Sequence, residues 1–148
     1  MKPDLPVKQF LIAFVLALAG YAFFYSAIEH RRVRRGPWEV TFSNASGLPA
    51  ILINQPNLRI TNVQIRFSGE LPAPQPTTSF RFDQPRPVPY DVLFGTCIFM
   101  DTTFLPGTVT FQLFGHEIEL LPRVLIVDRQ DLPWRSDATF VLQPVGSR

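Results

Sequence analysis

Between Phe10 and Ile28 the chain runs for nineteen residues without a charge, FLIAFVLALAGYAFFYSAI. At 1.5 Å per residue a helix of that length measures about 28 Å, close to the thickness of a bilayer's hydrocarbon core. The pattern therefore predicts a short tail over 1–9, one transmembrane helix over 10–28 and a juxtamembrane linker over 29–36. Gly20 is compatible with this, because membrane helices tolerate glycine, and Tyr21 and Tyr25 suit the polar interface. After Gly36-Pro37 the helical period gives way to alternation, with Trp38, Val40 and Phe42 on one face and Glu39, Thr41 and Ser43 on the other. This is the first strand of a β domain over 37–148.

Further apolar runs extend the strand reading. Leu58 to Ser68 alternates with a change of parity at Thr61-Asn62, which requires a bulge or bend there. In TVTFQLFGHEIEL a two-residue turn at Gly115-His116 would pair Leu113 with Ile118 and Phe111 with Leu120, all on one face. Shorter candidates are Ala50 to Asn54, Thr78 to Asp83, Val92 to Met100, Arg123 to Asp128 and Ala138 to Gln143. About eight strands, with ten of the fourteen phenylalanines in the domain they form, predict an all-β fold: an antiparallel β-sandwich of immunoglobulin-like or jelly-roll type behind one transmembrane helix. A small barrel is the alternative, and strand order is not legible. Proline fits, since most of the fifteen fall between apolar runs. The clusters Pro72, Pro74, Pro76 and Pro85, Pro87, Pro89 flank the strand around Phe80 to Phe82. Their two-residue spacing does not suit a polyproline-helix ligand, and they read as stiff connections or as guards of a sheet edge.

Charge divides the chain. Residues 1–35 hold six Lys or Arg against Asp4 and Glu29, a local +4, whereas from Gly36 onward eight Arg oppose ten Asp or Glu, a local −2. The overall +2 thus comes from the stretch beside the apolar run, and Arg31, Arg32, Arg34 and Arg35 are expected to meet lipid headgroups. Nucleic acid is not an expected partner, because no second basic face is evident. Ala17-Leu18-Ala19 has the form of a signal-peptide cleavage site, but the apolar run continues nine residues beyond it, which favours an uncleaved anchor. Two Lys before the span against four Arg after it place the β domain in the cytoplasm by a margin of two residues. The opposing tendency is for a short N-terminal tail to stay inside. Ala13, Ala17, Gly20 and Ala27 share one helical stripe on which another helix, from a membrane-protein partner or a second copy, could pack closely.

Candidate chemistry changes the picture little. Cys97 is the sole cysteine, so no internal disulfide forms, and its apolar surroundings read as a buried small hydrophobe. His30 and His116 lack a second ligand at metal spacing, and His116 is expected in a tight turn. Asp83, Asp91 and Asp101 would serve a hydrolase only if two of them came within roughly 5–10 Å. Trp38 and Trp134 suit a carbohydrate or peptide surface, or, for Trp38, the headgroup region. Asn44-Ala45-Ser46 is a formal glycosylation acceptor and equally a turn. The expectation is a non-enzymatic interaction or scaffolding module with no cofactor and no metal, perched on the lipid bilayer. A membrane-displayed ligand- or glycan-binding domain is the alternative, and a tethered hydrolase a third reading.

Overall fold

In the computed structural model, which describes residues 4–33, 36–44 and 47–146, the N-terminal segment is one helix, α1 (Asp4–Val33). It overruns the predicted 10–28 at both ends, since neither Lys8 nor the Glu29-His30-Arg31-Arg32 run interrupts backbone hydrogen bonding. Within it, the 24 residues Leu5–Ile28 are long and apolar enough to cross a membrane, and none of that stretch is buried. The chain divides into two units, Met1–Arg34 and Arg35–Arg148.

The second unit holds eleven strands in two sheets: β1 (Glu39–Ser43), β2 (Ala50–Gln55), β3 (Ile60–Phe67), β4 (Thr78–Arg81), β5 (Tyr90–Val92), β6 (Gly95–Asp101), β7 (Thr108–Leu113), β8 (His116–Leu120), β9 (Leu125–Val127), β10 (Gln130–Leu132) and β11 (Thr139–Leu142). One sheet runs β11-β3-β2-β1-β4 and the other β10-β9-β8-β7-β6-β5. The order β4-β1-β2-β3 is a Greek key, with the proline-bearing connection 68–77 carrying the chain across the sheet. The second sheet is an uninterrupted meander. All pairings are antiparallel except β11 with β3, the one parallel exception to the predicted pattern. The fold is a β-sandwich. Alternation explains its core: Val40, Phe42, Ile51, Ile53, Val63, Ile65 and Phe67 from one sheet meet Val109, Phe111, Leu113, Ile118, Leu120 and Leu125 from the other, each at most 1% exposed.

The expected bulge is present. Ile53 pairs with Val63 but Gln55 with Ile60, so β3 carries one residue more than β2, and Asn62 takes the left-handed conformation (φ 54°) that returns Ile60 and Val63 to the core. Asn54 Oδ1 accepts the Asn62 N–H at 2.8 Å.

Two local expectations are corrected. The β7–β8 turn is Phe114-Gly115, not Gly115-His116: Leu113 pairs with His116, Phe111 with Ile118 and Val109 with Leu120. Both turn residues have positive φ (51° and 82°), as a type I′ turn demands. Phe114 accepts that strain because its ring stacks on Phe94 (5.2 Å) and meets Phe67 (5.1 Å). The displacement preserves parity, so the buried face is the one expected. The run Val92 to Met100 is not one strand but parts of β5 and β6 folded at Leu93-Phe94. Phe94 has φ 69°, and a Cβ at Gly95 would stand 1.9 Å from the Gln112 carbonyl oxygen, so glycine alone lets β6 lie against β7 there.

Candidate membrane anchor and interaction surfaces

The most conspicuous surface is α1 itself. Its described side chains are exposed from Leu5 to Ile28, apart from partly exposed Gly20 and Ala27, and from Phe10 onward they are uncharged and mostly apolar on every side, with Lys8 and Gln9 as the polar members of the first turns. A helix of this kind needs an apolar surrounding, in a protein interior or in lipid. Tyr21 and Tyr25, one turn apart, stack at 6.2 Å. Ala13, Ala17, Gly20 and Ala27 are part of this helix, and a Cβ added at Gly20 would meet nothing within 4 Å. Of the expected headgroup contacts, Arg31 and Arg32 lie in the last turn of α1 with side chains outside the description, and Arg34 and Arg35 lie outside the described residues, as do Ala45 and Ser46 of the glycosylation triplet.

In the sandwich the predicted residues take more defined places. Trp38 is wholly buried, its Nε1–H donating to the Gly107 carbonyl at 3.0 Å, and its ring lies 5.2 Å from that of Trp134. Trp134 is partly buried and donates to the Leu121 carbonyl at 2.8 Å. These contacts make the pair an internal lock between sheet and loops, correcting the expected headgroup role of Trp38 and the expected surface role of both. His116 is also corrected: it opens β8, is 6% exposed, and places Nδ1 2.6 Å from Asp128 Oδ2. A carboxylate only accepts, so Nδ1 carries the proton. Asp128 Oδ1 accepts the Glu117 N–H at 3.0 Å, which binds the β9–β10 turn to β8. Sequence reasoning missed Asp128; the signal was a short hairpin at Asp128-Arg129, both residues having positive φ.

Cys97 is buried, as expected, and burial pushes its thiol pKa up. Beside it Tyr90 is pushed up to about 12, chiefly by burial, with Arg86 resting 4.1 Å above its ring. Tyr90 and Arg86 border a shallow groove of about 270 Å³ on the side of the sandwich where edge strands β4 and β5 lie, lined also by Phe80, Phe82, Asp83 and Met100 among others. A second groove, of about 310 Å³, lies along the proline connection between Asn44, Gly47, Leu71, Pro72 and Pro74, with Leu71 89% exposed. The first proline cluster thus belongs to the Greek-key crossing, and both clusters flank β4, an edge strand.

Of the three candidate carboxylates, Asp83 lines the first groove, and Asp91 and Asp101 stand far apart. Asp91 lies opposite Thr96, five residues along β6 from Asp101, a separation of about 15 Å or more at 3.2–3.4 Å per residue. Asp101 instead accepts the Thr103 N–H at 2.9 Å, which lowers its pKa. On the outer face of the meander Glu119 is raised by partial burial and by neighbouring Glu117 and Asp131. Among the described residues no group of three His, Cys, Asp or Glu is placed to hold a metal ion. Gln55, 1% exposed, ties down the start of the domain: its Nε2 donates to the carbonyls of Gly36 (3.0 Å) and Pro37 (2.9 Å), and its Oε1 accepts the Asn57 N–H (3.2 Å).

The fold defines a Greek-key β-sandwich following one exposed apolar helix. Comparison with protein-family models, with curated proteins and with solved structures gave no match.

Proposed function

We propose that this protein is a single-pass membrane protein whose β-sandwich serves as a non-enzymatic interaction or scaffolding module, an accessory subunit of a membrane complex. The observation that carries the reading is α1: 24 consecutive residues long and apolar enough to span a bilayer, with no part of the stretch buried. The sandwich supports it by spending its special side chains inwardly. Trp38, Trp134, Gln55 and His116 all bond within the domain, while exposed apolar Leu71 sits beside the proline crossing, where a protein partner has a firm surface to meet.

The test is extraction and purification of the full chain. Resistance to alkaline carbonate followed by co-purification in mild detergent with fixed partners, or with itself, is the expected result. Release by carbonate defeats the anchor, and a solitary monomer in detergent defeats the scaffold. A cytoplasmic β domain, the side that the lysine and arginine count slightly favours, is tested by an impermeant thiol reagent on intact and permeabilised cells, with Cys97 replaced and a new cysteine near residue 146. A second reading, ligand display, draws on the groove at Phe80, Phe82 and Tyr90 with Arg86 above the tyrosine ring. Saturable binding of a small aromatic or glycan ligand, lost in Tyr90→Ala, would favour it.

A further inference from the structure

The two sheets of the sandwich differ by one strand, five against six. The shortfall has a place. Tyr90 of β5 pairs with Cys97 of β6, Cys97 with Phe111 of β7, and Met100 with Val109. Tyr90 and Met100 therefore share the inner face of the second sheet with the core residues Phe111 and Val109. Phe82, just past β4, packs on Phe111 with ring centroids 5.4 Å apart. At that end the first sheet stops against β7, while the second runs on through β6 and β5. What projects is a ledge, the groove of about 270 Å³ described above. Its floor is Tyr90 and Met100, both only partly buried, the Tyr90 hydroxyl donating to Met100 Sδ at 3.9 Å. Its wall is Phe80 and Phe82.

That wall is also a free strand edge. The Phe82 N–H donates to the Trp38 carbonyl at 3.0 Å and Phe80 stands opposite Val40, so the even-numbered residues turn their backbone groups to β1. Ser79 and Arg81 turn theirs the other way, over the ledge. Among the described residues no strand pairs with them. Pro76 and Pro85 bound this run, and because proline has no N–H for a ladder, the edge accepts only a short segment.

We infer that the ledge seats a strand contributed by another protein: an extended, uncharged segment with apolar side chains at alternate residues, added to β4 as the sixth strand of the first sheet. The inference rests on the scaffold reading and gives it a contact surface. The segment's backbone satisfies Ser79 and Arg81, and its inward side chains cover Tyr90 and Met100, the usual division between affinity and specificity in strand addition. Charge at the ledge is balanced. Arg81 Nε lies 3.5 Å from Glu39 Oε1, and Arg86, 4.1 Å above the Tyr90 ring, shares the groove with Asp83. A second copy does not fit this edge. Antiparallel pairing through β4 matches odd-numbered residues with odd-numbered ones, which puts both second sheets on one face, where the two ledges would fill the same space. At about 270 Å³ the groove also falls below the roughly 300–1,000 Å³ usual for small-molecule sites.

The test uses the full chain in mild detergent and a fluorescein-labelled peptide copying residues 38–43, which span the β1 strand that pairs with β4 on its other side, with the glutamate replaced by threonine. A scrambled peptide of the same composition is the control. The expected result is saturable, salt-insensitive binding that slows amide exchange at Ser79 and Arg81 about tenfold or more and leaves Phe80 and Phe82 unchanged. Ser79→Pro removes an outward N–H that β1 does not use, and Met100→Lys places a charge on the floor. Each is expected to weaken binding about fivefold or more while the unfolding transition is kept. Equal affinity for the scrambled peptide, no slowing at Ser79 and Arg81, or full affinity in both variants overturns the inference. Partners that co-purify undiminished with Ser79→Pro also overturn it and leave the scaffold reading standing. A wild-type chain that purifies alone defeats the scaffold reading, and this inference with it.

Discussion

Asp128 shows how much one side chain can hold in so small a fold. It accepts from the buried imidazole of His116 and from the Glu117 N–H while its own backbone is left-handed at φ 49°. Asp128→Ala removes both bonds and puts alanine where L-residues are strained, so a loss of about 2–4 kcal/mol in denaturant unfolding is expected. Asp128→Asn keeps a carbonyl acceptor and tolerates the conformation, and should lose about 1 kcal/mol. Equal losses would show that the carboxylate charge, not the turn, is what His116 requires. Glu119 makes stability depend on pH. Its folded pKa is raised above the ordinary 4.5 by partial burial and by Glu117 and Asp131. The folded state therefore holds this proton more tightly than the unfolded chain, and stability declines as pH rises through the raised value. Glu119→Gln should raise Tm at pH 7 and lose that advantage below the ordinary carboxylate range; an unchanged or lower Tm at pH 7 would refute the repulsion.

Among the elements, the β7–β8 hairpin separates what alternation can reveal from what it cannot. The sequence made the inward face of Val109, Phe111, Leu113, Ile118 and Leu120 legible, because parity survives a shift of the turn by one residue. It did not place the turn. Gly115 can occupy either turn position, and phenylalanine is a poor choice at positive φ unless long-range stacking on Phe67 and Phe94 holds it there. Phe114→Ala should cost about 2–3 kcal/mol through lost packing and the strained φ, and Phe114→Asn about 1 kcal/mol less, since asparagine favours this conformation. Equal losses in thermal unfolding would mean that the turn preference is immaterial. The β5–β6 fold inside Val92 to Met100 was hidden for a similar reason: within an apolar run Gly95 was its one local marker, and the close approach to Gln112 that requires glycine is non-local. The bulge at Asn62 was legible because it changes parity. The roles of Trp38, Trp134 and His116 were not, since each depends on a partner distant in sequence or in an unread turn.

At the scale of the whole molecule, the helix and the sandwich were both legible, one from unbroken hydropathy and the other from alternation and proline. Strand order was not, because antiparallel edges of similar composition are interchangeable until side chains such as Trp38 and Phe67 meet across the core. Among the described residues the completed order makes β11 the only strand on the outer edge of β3, with Phe140 and Leu142 packed against the core. Removing residues 139–148 should therefore bare that edge and convert the protein in detergent from a defined species to aggregates, as measured by size-exclusion chromatography. A truncated chain that kept its elution volume and unfolding transition would show β11 to be dispensable.

The parallel pairing of β11 with β3 also sets a schedule. Thr139 joins Gln64 and Leu142 joins Phe67, so every rung of that ladder links residues 75 apart. A ribosome lays down β3 early and supplies its neighbour only after the whole meander has been translated. Until then the growing chain holds a half-finished sheet with an adhesive rim, exposed to other nascent chains and to any chaperone that reaches it. The last stitch of the first sheet is thus made after the second sheet has been synthesised, and a pause between residues 68 and 139 lengthens the interval during which this protein is most easily lost.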